Sequence, residues 1–399
     1  MEIPELYQEY FTQNSYKKFT AIQEQVYEPF INNQDLLAMA PTGSGKTLAF
    51  CLPLVEKING GEGLQAIILE PSQELAIQTR DVLQPLVKLI DSNVIAITGG
   101  ANSKRQLEKL KKQKPEIIVA TIGRLQELIN LKKVKPSKVK YLVIDEADEL
   151  LSDTKLTDVR NFVDMVADDV QISMFSATSN PIFLELPKWF GRDFLTIDDR
   201  QNEEYRKGIK HYFVQATNNQ EELIRRLAHN SKFHGMVFFN SSRQLHKSAS
   251  NLNFKKTNFV VLDSKSSSQQ RKDALSRFTS KKVNLILTND VAARGIDIPA
   301  VNTIINYMVP RNTQEYVHRS GRTGRMGRAG VSITFGNAHD FRNFSKDIAK
   351  DFEVKQVMIT EDGGFTKNLK QGKKKPTEKN SERKKERWRD KKNKGYRKK

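Results

Sequence analysis

One run of eight residues, Ala40-Pro41-Thr42-Gly43-Ser44-Gly45-Lys46-Thr47, constrains the fold of this chain more than any other feature. It follows a strand-like apolar segment at 35–39 and precedes a helical one at 48–57, the context a phosphate-binding loop requires. Gly43 and Gly45 let the backbone curl so that its N–H groups, with those of Thr42 and Ser44, converge on phosphate oxygens. Lys46 is then placed to meet the β- and γ-phosphates, and Thr47 to hold Mg²⁺ through its hydroxyl. Ala40 stands where the strict pattern has its first glycine.

The surroundings fit an α/β frame. Strand-type runs at 66–70, 94–98, 117–120, 141–144 and 171–175 alternate with helical periodicity at 74–90 and 102–112. This alternation predicts a mostly parallel sheet with helices on both faces. A polar stretch near 200–208 reads as a linker, after which strand-type runs resume at 235–239, 258–262, 285–288, 303–307 and 331–335. The predicted organisation is a first lobe over 1–199, a linker over 200–208, a second lobe over 209–362 and a disordered basic tail over 363–399.

Asp145-Glu146-Ala147-Asp148 follows the apolar run Tyr141-Leu142-Val143-Ile144. Ligands of open α/β sheets sit at the carboxyl ends of strands, so these acids are expected to face the phosphate loop. Asp145 is the candidate Mg²⁺ partner, and Glu146 the group that orients or deprotonates an attacking water. An isolated acidic cluster of this kind reads as a helix cap. Beside a phosphate loop it reads as half of a nucleotide site.

Charge points to a polyanion. The formal net charge is +19, and residues 370–399 carry 16 Lys and Arg against 4 Asp and Glu, about +12 of that total. RNA, DNA and an acidic membrane surface all satisfy this argument. The apolar runs are too short to span a bilayer, and the acidic start Met1-Glu2-Ile3-Pro4-Glu5 is unlike a secretory signal. A single cysteine, Cys51, excludes a disulfide framework and a multi-cysteine metal site and fits a reducing cytoplasm.

Further motifs occur in a fixed order. They are Pro71-Ser72-Gln73-Glu74-Leu75-Ala76, Gly99-Gly100, Thr121-Ile122-Gly123-Arg124, Ser176-Ala177-Thr178, Phe238-Phe239-Asn240-Ser241, Thr288-Asn289-Asp290-Val291-Ala292-Ala293-Arg294-Gly295-Ile296-Asp297 and His318-Arg319-Ser320-Gly321-Arg322-Thr323-Gly324-Arg325. With the phosphate loop and the acidic motif, this set resembles the DEAD-box RNA helicases of helicase superfamily 2, in the bare plan of bacterial members. The resemblance implies two tandem RecA-like lobes, with ATP and Mg²⁺ bound between them and single-stranded RNA crossing both. It further implies that Arg322 and Arg325 act as arginine fingers, that Asp297 meets the ribose and that His318 links the phosphate site to the RNA surface. Ser72, Gly100, Thr121, Arg124, Ser241, Arg271, Thr288, Asp290 and Arg294 would contact RNA, largely through phosphate and sugar.

Gln23, in Tyr16-Lys17-Lys18-Phe19-Thr20-Ala21-Ile22-Gln23, would read adenine. Here Phe19 occupies the usual proline position and Ser15 the usual glycine, and Leu6 falls where an upstream aromatic is expected, leaving Phe11 or Tyr16 as substitutes for stacking. Gln73 replaces a customary arginine. The expected activity is RNA-stimulated ATP hydrolysis coupled to unwinding of short duplexes. An ATP-gated RNA clamp and a DNA translocase are the alternatives. The resemblance also suggests a setting in ribosome assembly or mRNA turnover; a cytoplasmic monomer is the default expectation, and the basic tail is expected to add RNA affinity.

Overall fold

The structure is a computed structural model and describes residues 1–99, 103–202, 208–263, 265–293, 301–324 and 329–367. Gly100, Arg294, Asp297, Arg325 and the tail from 368 onward lie outside the described residues.

Short apolar runs become short buried strands. In the first lobe these are β1 (Leu36–Met39), β2 (Ala66–Leu69), β3 (Val94–Ile97), β4 (Ile117–Ala120), β5 (Tyr141–Ile144), β6 (Gln171–Ser176) and β7 (Leu195–Asp198). They pair in parallel, in the order β3-β4-β2-β5-β6-β1-β7. Every residue of β1, β2, β4 and β6 is buried, because helices cover both faces. Helices Ala21–Ile31, Lys46–Glu56 and Gln73–Lys88 pack one face around Phe30, Phe50 and Leu83, and helices Ile122–Asn130 and Leu156–Val163 pack the other around Leu125 and Phe162.

The second lobe repeats the plan with β8 (Ile209–Gln215), β9 (Gly235–Phe239), β10 (Val260–Leu262), β11 (Leu285–Asn289), β12 (Thr303–Asn306), β13 (Gly330–Gly336), β14 (Val354–Ile359) and β15 (Phe365–Lys367). The order is β10-β11-β9-β12-β13-β8-β14-β15, antiparallel only between β14 and β15. Two mostly parallel sheets with helices on both faces match the expected fold class.

Four strands were absent from the sequence expectation: β7, β8, β14 and β15. β7 and β14 lie at or near sheet edges, with most of their residues exposed or half-buried, so they lack a continuous apolar run. β8 hides in the polar sequence Ile-Lys-His-Tyr-Phe-Val-Gln. β15 corrects the expected end of the second lobe at 362, since the sheet continues to Lys367. Among the described residues, no helix is long and apolar enough to cross a membrane.

Parallel pairing has one functional consequence. Every loop that follows a strand emerges at the same end of its sheet, so the motifs of each lobe collect along one edge.

Candidate nucleotide and nucleic-acid site

The phosphate loop turns through two left-handed glycines, Gly43 at φ 85° and Gly45 at φ 96°, a region that side-chain-bearing residues enter only with strain. Lys46 is buried, and its ammonium donates to the carbonyls of Ala40 at 2.8 Å and Pro41 at 3.2 Å. The buried Thr42 Oγ1 and Ser44 Oγ have no hydrogen-bond partner among the described residues. Thr47 follows in the first turn of helix Lys46–Glu56.

Gln23 packs directly on this loop. Its Nε2 donates to Gly45 O at 3.2 Å, and its Oε1 accepts from Thr20 N at 2.9 Å. One N–H and one lone pair of the amide remain for a base edge. Phe11 does not stand ready to stack on one. It is 2% exposed and edge-packed against Tyr16 at 5.7 Å and Phe19 at 5.3 Å, which corrects its candidacy as a substitute aromatic. Phe19 completes the same core against Tyr27 at 5.6 Å. Ser15 holds φ 58°, which explains why a glycine suits that position.

The acids stand where β5 ends. Glu146 N donates to Asp145 Oδ1 at 2.8 Å from a left-handed backbone, φ 47°. Burial pushes the Asp145 carboxyl up to about 7, Glu146 adds to the rise and Lys46 opposes it. Sequence reasoning missed Glu70, which follows β2 and is fully buried. Burial, then the charge of Asp145, drive its carboxyl well above the usual range. Its signal was a lone acid ending an apolar strand just before Pro71.

Asp148 behaves oppositely. Burial raises its carboxyl, but His318 and the Thr178 hydroxyl, which donates to Oδ2, bring it below its ordinary value. His318 Nε2 lies 3.4 Å from that same oxygen, so a first-lobe acid meets a second-lobe imidazole. Burial lowers His318, and the neighbouring Glu146 and Asp148 raise it to a net upward shift. Glu146, Asp148 and His318 each offer one ligand atom within 4.8 Å of the others.

The second lobe also touches the phosphate loop. Gly321 follows helix Thr313–Ser320, and a methyl placed there would meet the Thr42 side chain. Arg322 is half-buried beside it, close enough for its charge to lower His318. Arg319, which sequence reasoning also passed over, is 1% exposed. It forks onto Asp290 at 2.6 and 2.5 Å, reaches Asn240 at 3.0 Å and Asn306 at 3.3 Å, and lies over the Phe238 ring.

The candidate RNA contacts divide into two groups. Ser72 and Ser241 cap helices, accepting from Leu75 N at 3.2 Å and Gln244 N at 3.3 Å, and Thr121 precedes helix Ile122–Asn130. These helix N-termini suit a phosphate. The others are engaged within the protein. Thr288 is fully buried and donates to Asn289 O. Both Asp290 oxygens serve Arg319, so this RNA-contact candidate is engaged within the second lobe. Arg124 pairs with Glu127 at 2.5 Å, and Arg271 reaches across the lobes to Glu74 at 2.5 Å.

A phosphate loop facing strand-end carboxylates in one parallel α/β lobe, with an arginine-bearing helix of a second lobe against the loop, defines a two-lobed nucleotide-hydrolysing enzyme. Residues 20–185 match the DEAD/DEAH box helicase family model, and residues 215–327 match the helicase conserved C-terminal domain. The chain is 33% identical to the DEAD-box ATP-dependent RNA helicase CshC of Bacillus cereus, over 90% of this chain and 93% of that one. It is 35% identical to a probable ATP-dependent RNA helicase of Methanocaldococcus jannaschii, over 82% and 88% of the two chains. S. cerevisiae Dbp5 bound to RNA and ADP BeF3 superposes with a TM-score of 0.79 at 26% identity, covering 89% of this chain and 94% of that one. The chain belongs to the DEAD-box family of ATP-dependent RNA helicases and is an RNA-dependent ATPase.

Proposed function

We propose that this protein hydrolyses ATP when its two lobes close on one RNA strand, and that the cycle separates short duplexes or remodels RNA–protein complexes. The observation that carries this reading is Asp148, which receives Thr178 from its own lobe and His318 from the other. One carboxylate thus joins the acidic motif of the ATP site to the helix that leads into Arg322.

The residues fit a divalent cation beside the phosphate loop. Asp145 and Glu146 crowd negative charge there, and Glu146 Oε2 is buried without a partner among the described residues. Thr47 and Asp145 would hold Mg²⁺, which would neutralise charge on the β- and γ-phosphates. Lys46 transfers its ammonium from the Ala40 and Pro41 carbonyls to phosphate oxygens. Glu146 orients the attacking water and accepts its proton. Arg322 and Arg325 stabilise the charge that develops on the transferred group, a contribution of about 10³–10⁵-fold in related systems. Gln23 turns its remaining N–H and lone pair to adenine, and Asp297 meets the ribose.

On the RNA side, the helix N-termini at Ser72, Thr121 and Ser241, with Gly100, Arg124, Arg271 and Arg294, hold sugar and phosphate without reading sequence. Arg271 must exchange Glu74 for the strand to do so. The basic tail, about +12 over 370–399, would raise the local concentration of RNA. The setting we propose is a cytoplasmic monomer acting in ribosome assembly or mRNA turnover.

The test is the ATPase rate without nucleic acid, with RNA and with matched DNA, using Lys46→Ala as the blank. The reading expects strong stimulation by RNA alone. Equal rates in all three would refute RNA-gated closure.

A further inference from the structure

The loops at the amino ends of β9, β10, β11 and β12 enclose a groove of about 900 Å³ on the second lobe. Lys232, Lys256, Lys281, Lys282, His229 and His234 line it, and no carboxylate does. None of the four lysines has an ion-pair partner among the described residues. Three asparagine amides brace the walls: Asn258 donates to Lys282 O at 3.0 Å, Asn284 to Ala228 O at 2.7 Å and Asn302 to Lys232 O at 2.6 Å. His234 stacks on Phe278 at 3.8 Å.

Two further features accompany this cluster of lysines. Lys256 and Lys281 hold left-handed backbones, φ 52° and 57°, where glycine or asparagine would sit with less strain. Phe254, two residues before Lys256 in sequence and just outside the groove's lining, is 90% exposed. Helices Gln220–His229, Ser242–Phe254 and Ser268–Thr279 all end here, and their negative dipole ends favour nearby cations. Three half-charges do not balance four ammonium groups, however, and a dipole gives no reason for an exposed ring.

We propose that this groove is a second RNA-binding site, in which the lysines hold phosphates of a single strand and Phe254 stacks on a base. The choice of RNA rests on the function proposed above. Exposed aromatics among lysines are how single strands are held without sequence preference. The groove lies at the opposite end of the strands from Ser241 and Thr288, about 16 Å away along a strand the length of β9. It would therefore grip a segment flanking the strand held across the lobes. All its residues belong to one lobe, so its affinity is independent of nucleotide.

The test uses the full chain carrying Lys256→Gly with Lys281→Gly, and separately Phe254→Ala. The glycine pair relieves two left-handed backbones, so its melting temperature should equal or exceed the wild type. Its affinity for a long unstructured RNA without nucleotide should nonetheless fall, and its salt slope should shrink by about 1.4. Phe254→Ala should weaken the same RNA roughly five- to tenfold. A strand just long enough to cross the lobes should bind all three proteins equally, and ATP turnover at saturating RNA should be unchanged. Wild-type affinity of both variants for the long RNA sinks the proposal. So does loss of polyglutamate binding with RNA binding intact, which would assign the groove to an acidic protein. Failure of RNA to stimulate the wild-type ATPase would instead overturn the RNA-gated reading, while direct binding still judges the groove.

Discussion

Arg319 and Arg322 stand three residues apart in one motif, yet the structure gives them different work. Arg319 is buried with its guanidinium forked onto Asp290, and two asparagine carbonyls take further N–H groups. Replacing it by methionine keeps an unbranched apolar side chain and removes the guanidinium, with its place over Phe238 and every one of those bonds. Breaking a buried pair from one side costs about 3–5 kcal/mol. The Asp290 side chain is 20% exposed and regains some water, so we expect the lower end of that range, about 3 kcal/mol. The second lobe should bear the loss, because Asn240 follows β9, Asp290 opens the short helix after β11 and Asn306 ends β12. Urea unfolding followed by hydrogen exchange resolves the two lobes and reads the effect directly. Adding Asp290→Asn should restore part of the loss, since the stranded charge disappears. Arg322→Met should leave the unfolding midpoint in place and abolish RNA-stimulated turnover. An unchanged second-lobe midpoint in Arg319→Met, with turnover lost as in Arg322→Met, would refute the division of labour.

Gly321→Ala introduces a methyl 2.9 Å from Thr42 Cγ2 and closer still to Thr42 Cβ, at an ordinary helical φ of −68°. Stability should hold while RNA-stimulated kcat falls roughly 10- to 100-fold, because the lobes can no longer meet at the phosphate loop. Asp145 supplies a pH test. Its carboxyl, raised to about 7, stays protonated in the folded chain where an unfolded one has ionised, so metal-free stability should fall as pH rises from about 4 to about 7. Below 7, Mg²⁺ must displace that proton, so its apparent affinity should climb with pH and level off above; titration calorimetry in buffers of different ionisation heat counts the proton, and a flat profile would count against the assignment. Ser15→Gly should raise stability by ~0.5–1 kcal/mol, measured by urea titration, because φ 58° suits glycine.

The fold was readable wherever a strand is buried on both faces. Runs such as Ala66–Leu69 and Ile117–Ala120 are apolar without interruption and announce themselves. Edge strands do not, because solvent permits the threonine and aspartate of β7 and the lysine and glutamine of β14. Local chemistry was equally plain: the phosphate loop needs two glycines that reach left-handed φ, and both stand in sequence beside the lysine they serve. What a motif cannot encode is its partner. Asp290 and Arg271 have the composition of nucleic-acid contacts, but one is spent on Arg319 from 29 residues away and the other on Glu74 from 197 residues away. A side chain with charge and hydrogen-bonding capacity serves a phosphate or a buried guanidinium equally well, and only the fold decides which arrives. The same ambiguity explains Glu70. Its identity gives no hint that its carboxyl is driven upward, which follows from total burial beside Asp145. Residue type sets what a group is able to do, and the groups packed around it select which of those things it does. The division is sharpest at Asp148, whose single oxygen meets both Thr178 and His318 only because the second lobe is brought against the first.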